Sequence, residues 1–494
     1  MTAGVALVLA LGAGAAAAAA PDSGGGTWST ARQAPGTAAL NAYTGPQGGY
    51  SGFSSVSCSS AGNCAAGGTY QDKDGNIWAF LISQKNGVWG KAEPVPGMTA
   101  LNLGGVATGS ENSPAGPTIS QISCPSAGNC AVTGTYQNQA EFTRPFVASE
   151  RGGVWGKAQE IPGVEAIAPG APTDYSTSVS CPAAGECVAV GSAGNTPGTE
   201  APGQAIVVSE HRNVWGTARA IKGLAADTTP QLLSVSCTSP GNCLAGGLWT
   251  AAQPGGRTTA FLVTERNGAW SSAQQVPGLA ALDTRHASHV ESVACPSAGN
   301  CVVTGRFRGQ AGFGVYVASE RNGVWGKAQA MPGLAALNTG DSAGVTQVSC
   351  SSAGNCATGG WYATIKNKLR QQAWVASEHN GRWARAEKIL GSALNGGSYA
   401  RVSTVSCGAT GNCAAGGFYT PSGSPFYSPR NAFVVSLSNG AWGRMQPVPG
   451  LAALDTGHYA GLNSVSCSRS GKCSAVGTYA DKNDIAQMFV TARS

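Results

Sequence analysis

Short apolar runs separated by polar turns recur along the whole chain. The first unit contains four such runs, at residues 55–58, 64–70, 79–83 and 88–92, which we call strands a to d. Asn86-Gly87 separates strands c and d, and this pair favours a hairpin because a type I′ turn needs a positive φ at both central residues. The pair recurs as Asn267-Gly268, Asn322-Gly323, Asn380-Gly381 and Asn439-Gly440. The pattern predicts a series of four-stranded β units.

Cysteine pairs mark the period of this repeat. All sixteen cysteines fall into eight pairs with five residues between the partners. The pairs are Cys58 with Cys64, Cys124 with Cys130, Cys181 with Cys187, Cys237 with Cys243, Cys295 with Cys301, Cys350 with Cys356, Cys407 with Cys413 and Cys467 with Cys473. Their starts lie 66, 57, 56, 58, 55, 57 and 60 residues apart. A period of about 58 residues suits a four-stranded β unit with one long connection.

Local disulfides are the chemistry that these pairs indicate. Zinc would need four ligands, so two distant pairs would have to come together. A disulfide needs only the two cysteines of one unit. Each seven-residue loop closed in this way contributes roughly 2 kcal/mol to stability from chain entropy alone. No cysteine is left over, and this usage agrees with an exported protein.

The phase of the repeat predicts the architecture. Strand d carries one tryptophan per unit, at Trp89, Trp155, Trp215, Trp270, Trp325, Trp383 and Trp442. The eighth, Trp28, precedes the first cysteine pair, and the chain ends shortly after residues 488–491, which match strand c. A closed ring uses this offset to join its first and last units by hydrogen bonds. We therefore predict an all-β fold, an eight-bladed β-propeller of four-stranded blades closed by the N-terminal outer strand pairing with the last blade. The tryptophans are expected to pack between blades.

The N-terminal segment predicts export. Residues 2–20 are almost wholly apolar and end in an alanine run, which is typical of a secretory signal cleaved near Ala20. We assign residues 1–20 to a signal peptide, 21–25 to a linker and 26–494 to a single propeller domain. No other stretch reaches the roughly 18 apolar residues needed to span a bilayer. A secreted, extracellular protein without a membrane span in its mature form is expected.

Composition narrows the choice of partner. Only 11% of the residues are charged and 72 are glycine, which excludes a coiled coil or a charged disordered tail. The 30 Lys and Arg against 24 Asp and Glu leave a net charge of +6 without a basic run. Nucleic acid is therefore not expected as a partner. No cofactor or metal is expected, and we expect a monomer.

Two resemblances extend this interpretation over about residues 24–494. The repeated text that runs from Val179-Ser180-Cys181 to Gly191 resembles a group of secreted bacterial propellers with paired cysteines, which implies a fold and not an activity. The corner at residues 319–325 resembles the Asp-box (BNR-type) hairpin of sialidase-type propellers, but it is one residue shorter and has no aspartate. In those enzymes the Asp-box is a folding element remote from the catalytic pocket. The second resemblance therefore implies no sialidase site.

Aromatic residues after strand b are the first candidates for ligand binding. They are Tyr70, Tyr136, Trp249, Phe307, Tyr362, Tyr419 and Tyr479, with Trp361 and Phe418 nearby. An exposed ring where a strand meets a loop can stack on a sugar, and packing within the blades is the alternative.

The long connection from strand d to the next strand a is the second candidate. Propellers usually carry recognition there because these loops converge on one face around the central channel. A polar residue recurs in the loop, as Asn41, Asn102, Asp227, Asp283, Asn338, Asn395 and Asp455, and it is either a ligand contact or a turn cap. His286, Asp341 and His458 lie three residues after this position. They either bind a metal or an acidic ligand, or are simply solvated.

Two classes of function fit the repeat. Near-identical blades favour an exported, non-catalytic binding scaffold for a glycan or an extracellular protein. The alternative is a glycoside hydrolase-type, sialidase-like propeller, which needs two positioned carboxylates in one special pocket. Most acidic residues recur with the repeat instead, since Glu150, Glu210, Glu265, Glu320 and Glu378 share the end of strand c. These glutamates look structural, and the sequence predicts no catalytic residue.

Overall fold

Eight antiparallel β-sheets, one per repeat, make up the fold. The computed structural model describes residues 26–43, 51–104, 116–168, 178–194, 203–225, 228–251, 256–365, 370–391, 399–422, 424 and 429–494. Each sheet runs in the order a, b, c, d, and the predicted eight-bladed propeller is confirmed. The predicted signal peptide and linker, together with Asp227 and Asn395, lie outside the described residues.

Strand a is the innermost strand, since the a strands of neighbouring blades contact each other. Its bounds are Gly52–Ser60, Thr118–Ser126, Ser178–Ala183, Thr228–Ser239, His289–Ser297, Ala343–Ser352, Ala400–Ala409 and Gly461–Cys467, and blades 1 to 8 are numbered in this order. Strand b spans Asn63–Gln71, Asn129–Gln137, Glu186–Ala193, Asn242–Ala251, Asn300–Gly309, Asn355–Ala363, Asn412–Tyr419 and Cys473–Ala480.

All eight predicted disulfides form, and each joins strand a to strand b of one blade. They are Cys58 to Cys64, Cys124 to Cys130, Cys181 to Cys187, Cys237 to Cys243, Cys295 to Cys301, Cys350 to Cys356, Cys407 to Cys413 and Cys467 to Cys473. The paired Cα atoms are 4.0–4.1 Å apart. Each bridge closes one a–b turn within its own blade, so the bridges do not link one blade to another.

Strand c carries the outer strand d, which is broken into two pieces. Strand c spans Ile77–Lys85, Thr143–Arg151, Gln204–His211, Thr258–Arg266, Gly312–Arg321, Gln371–His379, Asn431–Ser438 and Ala486–Arg493. The first pieces of strand d are Val88–Trp89, Val154–Trp155, Val214–Trp215, Ala269–Trp270, Val324–Trp325, Arg382–Trp383 and Ala441–Trp442. The second pieces are Glu93–Pro94, Gln159–Glu160, Arg219–Ala220, Gln274–Gln275, Gln329–Ala330, Glu387–Lys388, Gln446–Pro447 and, for blade 8, Arg32–Gln33.

The turns between strands adopt the backbone conformations that their sequences predict. At the five Asn-Gly pairs of the c–d hairpins both residues have a positive φ, 47–51° at asparagine and 76–85° at glycine, which confirms the type I′ hairpins. Short helical turns begin the d–a connections, at Thr37–Leu40, Met98–Leu101, Val164–Ile167 and Leu334–Leu337 as α-helix and at Leu279–Ala281 and Leu451–Ala453 as 3₁₀-helix. The first residue of each turn is buried, which anchors the loop.

The residues between the two pieces of strand d form a hydrogen bond to the neighbouring blade. The Ala92 N–H donates to the carbonyl of Pro35 in the neighbouring blade, at 2.8 Å. The same bond recurs at 2.7–2.9 Å as Ala158 to Pro96, Ala218 to Pro162, Ala273 to Lys222, Ala328 to Pro277, Ala386 to Pro332, Met445 to Leu390 and Ala31 to Pro449. These bonds link each blade to the one before it in a closed ring.

The N-terminal strand completes blade 8 as predicted. Arg32 pairs with Val490 and Gln33 with Phe489 in antiparallel register. The Ser29 N–H donates to the Ala492 carbonyl at 2.8 Å and extends the pairing toward Trp28. Residues from the two ends of the chain therefore share one sheet.

Apolar side chains fill each boundary between blades. Leu81 of blade 1 lies in one cluster with Ile122 and Phe146 of blade 2, and each of the other boundaries has a similar cluster. All eight repeat tryptophans belong to these clusters, which confirms the predicted packing. The core is therefore divided among the boundaries and leaves the loops free to vary.

Serine hydroxyls cover the inner edge of the blades. The Oγ of Ser123 accepts a hydrogen bond from the Cys181 N–H of the next blade at 2.9 Å. The same bond forms at 2.9–3.0 Å for Cys58 with Ser466, Cys124 with Ser57, Cys237 with Ser180, Cys295 with Ser236, Cys407 with Ser349 and Cys467 with Ser406. In blade 5 the position is Ala294, which has no hydroxyl to offer Cys350.

Candidate ligand-binding face

The two faces of the ring differ in their loops. On one face the a–b turns meet the c–d hairpins, as where the Gly87 N–H donates to the Gly62 carbonyl at 2.8 Å. On the other face the b–c hairpins meet the long d–a connections, as where the Arg430 N–H donates to the His458 carbonyl at 2.9 Å. We call this second face the loop face. It holds most of the variation between blades.

The disulfides lie away from the loop face. Each bridge flanks an a–b turn, so it lies toward the opposite face of the ring. The strand b partner is at most 6% exposed in every blade, at Cys64, Cys130, Cys187, Cys243, Cys301, Cys356, Cys413 and Cys473. The bridges therefore close the turns on the face opposite the loop face.

The recurrent polar residue of the d–a loop caps a turn. The Oδ1 of Asp455 accepts hydrogen bonds from the N–H groups of Tyr459 at 2.9 Å and Ala480 at 3.1 Å. Oδ1 of Asn41, Asn102, Asp283 and Asn338 likewise accepts backbone N–H groups. These bonds favour the turn-cap interpretation over ligand contact, since the side-chain oxygen is already used.

The structure does not bring His286, Asp341 and His458 together. Each has a positive φ, 52°, 64° and 59°, and each serves a different blade boundary. Their carbonyls accept the N–H groups of Thr258, Phe313 and Arg430 respectively. Among the described residues no group of three or more His, Cys, Asp or Glu is placed to hold a metal ion.

Most of the predicted aromatic set is buried. Tyr70, Tyr136, Tyr362, Tyr419 and Tyr479 are at most 7% exposed. Burial raises the pKa of the hydroxyls, to about 12 for Tyr70, Tyr362 and Tyr479. Such rings have no open face for a sugar, which favours packing within the blades for these five. Trp249 and Phe307 are partly exposed, although Trp249 also packs on Phe261 with ring centroids 5.4 Å apart.

Arginines and aromatic rings form a cluster on the loop face; its rings Trp361 and Phe418 were named from the sequence, but none of its arginines was. Just before the aromatic that ends strand b, blades 1, 2 and 8 have threonine, whereas blades 5, 6 and 7 have Arg306, Trp361 and Phe418. We define the arginine arc by this trio and its neighbours. Its members are Arg306, Arg308, Phe313, Trp361, Tyr399, Arg401, Phe418, Arg430 and Tyr459. The available signal was this departure from the repeat in consecutive blades.

Rings and guanidinium groups alternate along the blade 5 half of the arc. The Cζ of Arg306 lies 4.6 Å from the ring centroid of Phe313 and 5.5 Å from that of Trp361. Arg401 approaches Trp361 from blade 7, with its Cζ 4.9 Å from the ring. The register of strands a and b explains this meeting, because Gly344 lies opposite Trp361. A Cβ at Gly344 would lie 2.5 Å from the indole nitrogen, so the glycine makes room for the ring.

The other half of the arc, on blade 7 and the connection from blade 7 to blade 8, continues in the same way. Tyr399 stacks on Phe418 with ring centroids 5.6 Å apart and planes 15° apart. The Cζ of Arg430 lies 3.8 Å from the ring centroid of Phe418 and 4.3 Å from that of Tyr459. Tyr459 is 44% exposed and is the most open ring of the arc. Cation–π contacts at such distances contribute about 0.5–2 kcal/mol each.

The arc is electrostatically unbalanced. Burial lowers the pKa of the Arg306 guanidinium, nearby Glu291 raises it, and the charge of Arg401 lowers it again. Glu291 itself pairs with His289, with Nε2 and Oε2 2.9 Å apart. The Nε atoms of Arg401 and Arg430 are buried without a hydrogen-bond partner. Positive charge therefore outweighs negative charge along this rim.

A cavity of about 610 Å³ opens at the blade 5 end of the arc. Arg285, Arg308, Phe313, Asp341 and Trp361 are among the residues that line it. The side chains of Arg285 and Arg308 are exposed. Of the three loop residues predicted as a site, Asp341 alone contributes to this lining. The arrangement is suited to hold anionic groups by charge-assisted hydrogen bonds.

Comparison with known proteins gives distant likenesses. No family model matches the chain, and no curated protein matches it. Among solved structures, it resembles the β-propeller domain of the trilobed protease from Pyrococcus furiosus, at 9% identity and a TM-score of 0.42 over 81% of this chain and 96% of that one. It also resembles a PL25 ulvan lyase, at 9% identity and a TM-score of 0.43 over 86% and 95%. A third is the Hadza microbial sialidase Hz136, at 10% identity and 0.35 over 72% and 73%. These likenesses carry no argument about activity.

Two further observations bear on where the protein acts. Eight disulfides are typical of an oxidising, extracellular environment. In the part of the chain that the structure describes, no helix is long and apolar enough to cross a membrane.

Proposed function

We propose that the protein is an exported, non-catalytic binding protein and that its arginine arc binds an acidic polysaccharide. The observation that carries the proposal is the series of guanidinium groups held against aromatic rings over blades 5 to 8. In blades 1, 2 and 8 the equivalent strand b position is a threonine. A feature confined to part of a repeat is expected at a binding site, because the fold does not need it.

The geometry of the guanidinium group indicates which anions the arginine arc binds. Its planar array of donors matches the two oxygens of a carboxylate or sulfate. Arg306 and Arg401 both lie near Trp361, and an anion beside them offsets the repulsion between their charges. The rings hold the arginine side chains in place, so less side-chain entropy is lost when the ligand binds.

The extent of the arc favours a polymer. It extends from blade 5 to the connection that leads into blade 8, with arginines on blades 5 and 7. A chain with repeating acidic groups can therefore engage several arginines at once and gain affinity by multivalency. Exposed Tyr459 and half-buried Phe313 add apolar faces that suit sugar rings. We therefore expect uronic acid or sulfated sugars as the repeating units.

Affinity measurements with defined polysaccharides test the proposal. The oxidised full chain is expected to bind polygalacturonate or a sulfated glycan and to ignore neutral dextran, with affinity falling as salt is raised. The double variant Arg308→Gln/Arg430→Gln is expected to bind about tenfold more weakly, because two charge-assisted contacts are lost. Arg382→Gln is the matched control, since Arg382 is exposed on the outer strand.

Three results would contradict this account. Equal binding by the double variant and the wild-type chain would remove the arc from recognition. Preference for an acidic polypeptide over every acidic glycan would point to a protein partner instead. Release of shorter sugar chains from a bound polysaccharide would show catalysis, in line with the glycoside hydrolase alternative.

A further inference from the structure

Buried glutamates at the blade boundaries are normally covered by a group from the preceding blade. Arg321 of blade 5 approaches Glu378 of blade 6, with Nη2 and Oε1 3.1 Å apart. Similar pairs join Arg151 to Glu210 at 3.6 Å and Arg266 to Glu320 at 3.7 Å. Glu150 accepts a hydrogen bond from Ser83 at 2.7 Å instead. Each of these carboxylates thus has a partner across the boundary.

The boundary between blades 3 and 4 breaks this rule. Glu265 occupies the usual position and is only 4% exposed, and its Oε2 has no hydrogen-bond partner. His211 stands where blades 2, 4 and 5 have arginine, and its Nδ1 lies 2.8 Å from Oε2 of Glu186 on its own blade. Glu265 is therefore a buried carboxylate without a cation.

Space is available beside this carboxylate. A cavity of about 460 Å³ lies between the two blades, and Glu265, Glu186, His211, Trp270 and Arg219 are among its lining residues. Arg219 makes no ion pair with Glu265 within 4.0 Å. Glu210 also reaches the cavity, but Ser149 and Arg151 already hold its carboxylate. The lining is thus negative around an unpaired group.

We propose that this cavity, which we call the blade 3–4 cleft, binds a guanidinium cation. The ligand takes the place that Arg151, Arg266 and Arg321 hold at the other boundaries, with Glu265 as its counter-ion and Trp270 beside it. Free guanidinium compounds and arginine side chains of peptides share this chemistry. The site is independent of the arginine arc, whose charge is opposite.

Titration of the oxidised full chain with methylguanidinium, its neutral isostere methylurea and the tripeptide Gly-Arg-Gly tests the inference. Saturable binding is expected for methylguanidinium, the tripeptide or both, and not for methylurea, because a buried carboxylate requires charge in its partner. Tighter binding of the tripeptide would identify an arginine side chain as the natural ligand. Tighter binding of methylguanidinium would identify a small molecule.

Two variants remove the site by different routes. Glu265→Gln removes the counter-ion, and His211→Arg supplies an internal guanidinium, so each is expected to weaken binding at least about tenfold. Glu320→Gln and His379→Arg are the matched controls at equivalent positions of other blades, and both are expected to bind normally. His211→Arg keeps the test decisive if Glu265→Gln fails to fold.

The inference is overturned if neither guanidinium probe binds saturably. It is also overturned if methylurea binds as tightly as methylguanidinium, or if both site variants bind like the wild-type chain.

Discussion

At the scale of single residues, the strand c glutamates show how one position can differ in its surroundings. Burial raises the pKa of Glu150, Glu210, Glu265, Glu320 and Glu378. Hydrogen bonds or arginine charges lower it again at every site except Glu265, where burial is the sole cause of the shift. The unpaired carboxylate therefore costs stability at neutral pH, which is expected where a binding site is kept.

Glu265 gives the folding stability a pH dependence of known sign. Its folded pKa lies above the ordinary value of 4.5, so the folded chain binds the proton more readily than the unfolded chain. The stability that this proton binding contributes to the folded chain is fully present below the ordinary pKa. It is lost as the pH rises through the raised pKa. The variant Glu265→Gln is therefore expected to gain in stability relative to the wild-type chain as the pH rises from the ordinary pKa of 4.5 through the raised pKa of the folded chain.

Unfolding in urea at a series of pH values measures this difference. Urea is preferred because guanidinium salts would occupy the blade 3–4 cleft. Glu93→Gln is the control, since Glu93 is exposed on strand d, and its stability should follow that of the wild-type chain. Parallel pH curves for Glu265→Gln and the wild-type chain would show that Glu265 has an ordinary pKa in the folded state.

At the scale of elements, the inner strand explains the repeated Val-Ser-Cys text. The serine covers an N–H group on the strand a edge of the next blade, as in the 3.0 Å bond from the Cys295 N–H to Ser236. A strand edge left open is a site of unwanted pairing, so the hydroxyls that bond these N–H groups at seven boundaries stabilise the ring. Ala294 is the exception in this series.

Restoring the hydroxyl in blade 5 is expected to stabilise the protein. Ala294→Ser places an acceptor opposite the Cys350 N–H, and one such bond contributes about 0.5–1.5 kcal/mol to the free energy of unfolding. Ser236→Ala removes the equivalent bond to Cys295 and is expected to lower stability by a similar amount. Urea unfolding of both variants measures the two changes, and a loss in Ala294→Ser would contradict the proposed geometry.

At the scale of the whole molecule, ring closure depends on both ends of the chain. The N-terminal strand supplies the outer edge of blade 8. It also donates from Ala31 to Pro449 of blade 7 and accepts at Pro35 from Ala92 of blade 1. Closure fixes the relative positions of blades 5 to 8, and with them the arginine arc.

Deleting residues 26–36 is expected to open the ring. The loss of buried Trp28 alone corresponds to about 3–5 kcal/mol by analogy with truncations of buried aromatic residues. Calorimetry should therefore show a clearly lower Tm, and a synthetic peptide of residues 26–36 should restore part of it. An unchanged Tm would mean that the ring does not need this strand.

Much of the fold could be predicted because its determinants are local and repeated. The spacing of Cys58 and Cys64 allows one short bridge, Asn86-Gly87 demands one turn type, and the early position of Trp28 reveals the shared blade. The candidate site could not be found in this way. Tyr70 and Trp361 are both aromatic residues at the end of a strand b, and periodicity does not say which contacts a neighbouring arginine.

The amino-acid sequence was sufficient to predict the blades, their number, their disulfides and the closure of the ring, since each follows from residues close together or from the phase of a repeat. Two features became visible only in the folded chain: Arg306, Trp361 and Arg401 meet on one rim, and Glu265 is buried without a cation. The reason is that charge balance and burial depend on side chains from neighbouring blades. These side chains are far apart along the chain, and they meet only because each blade packs against the next.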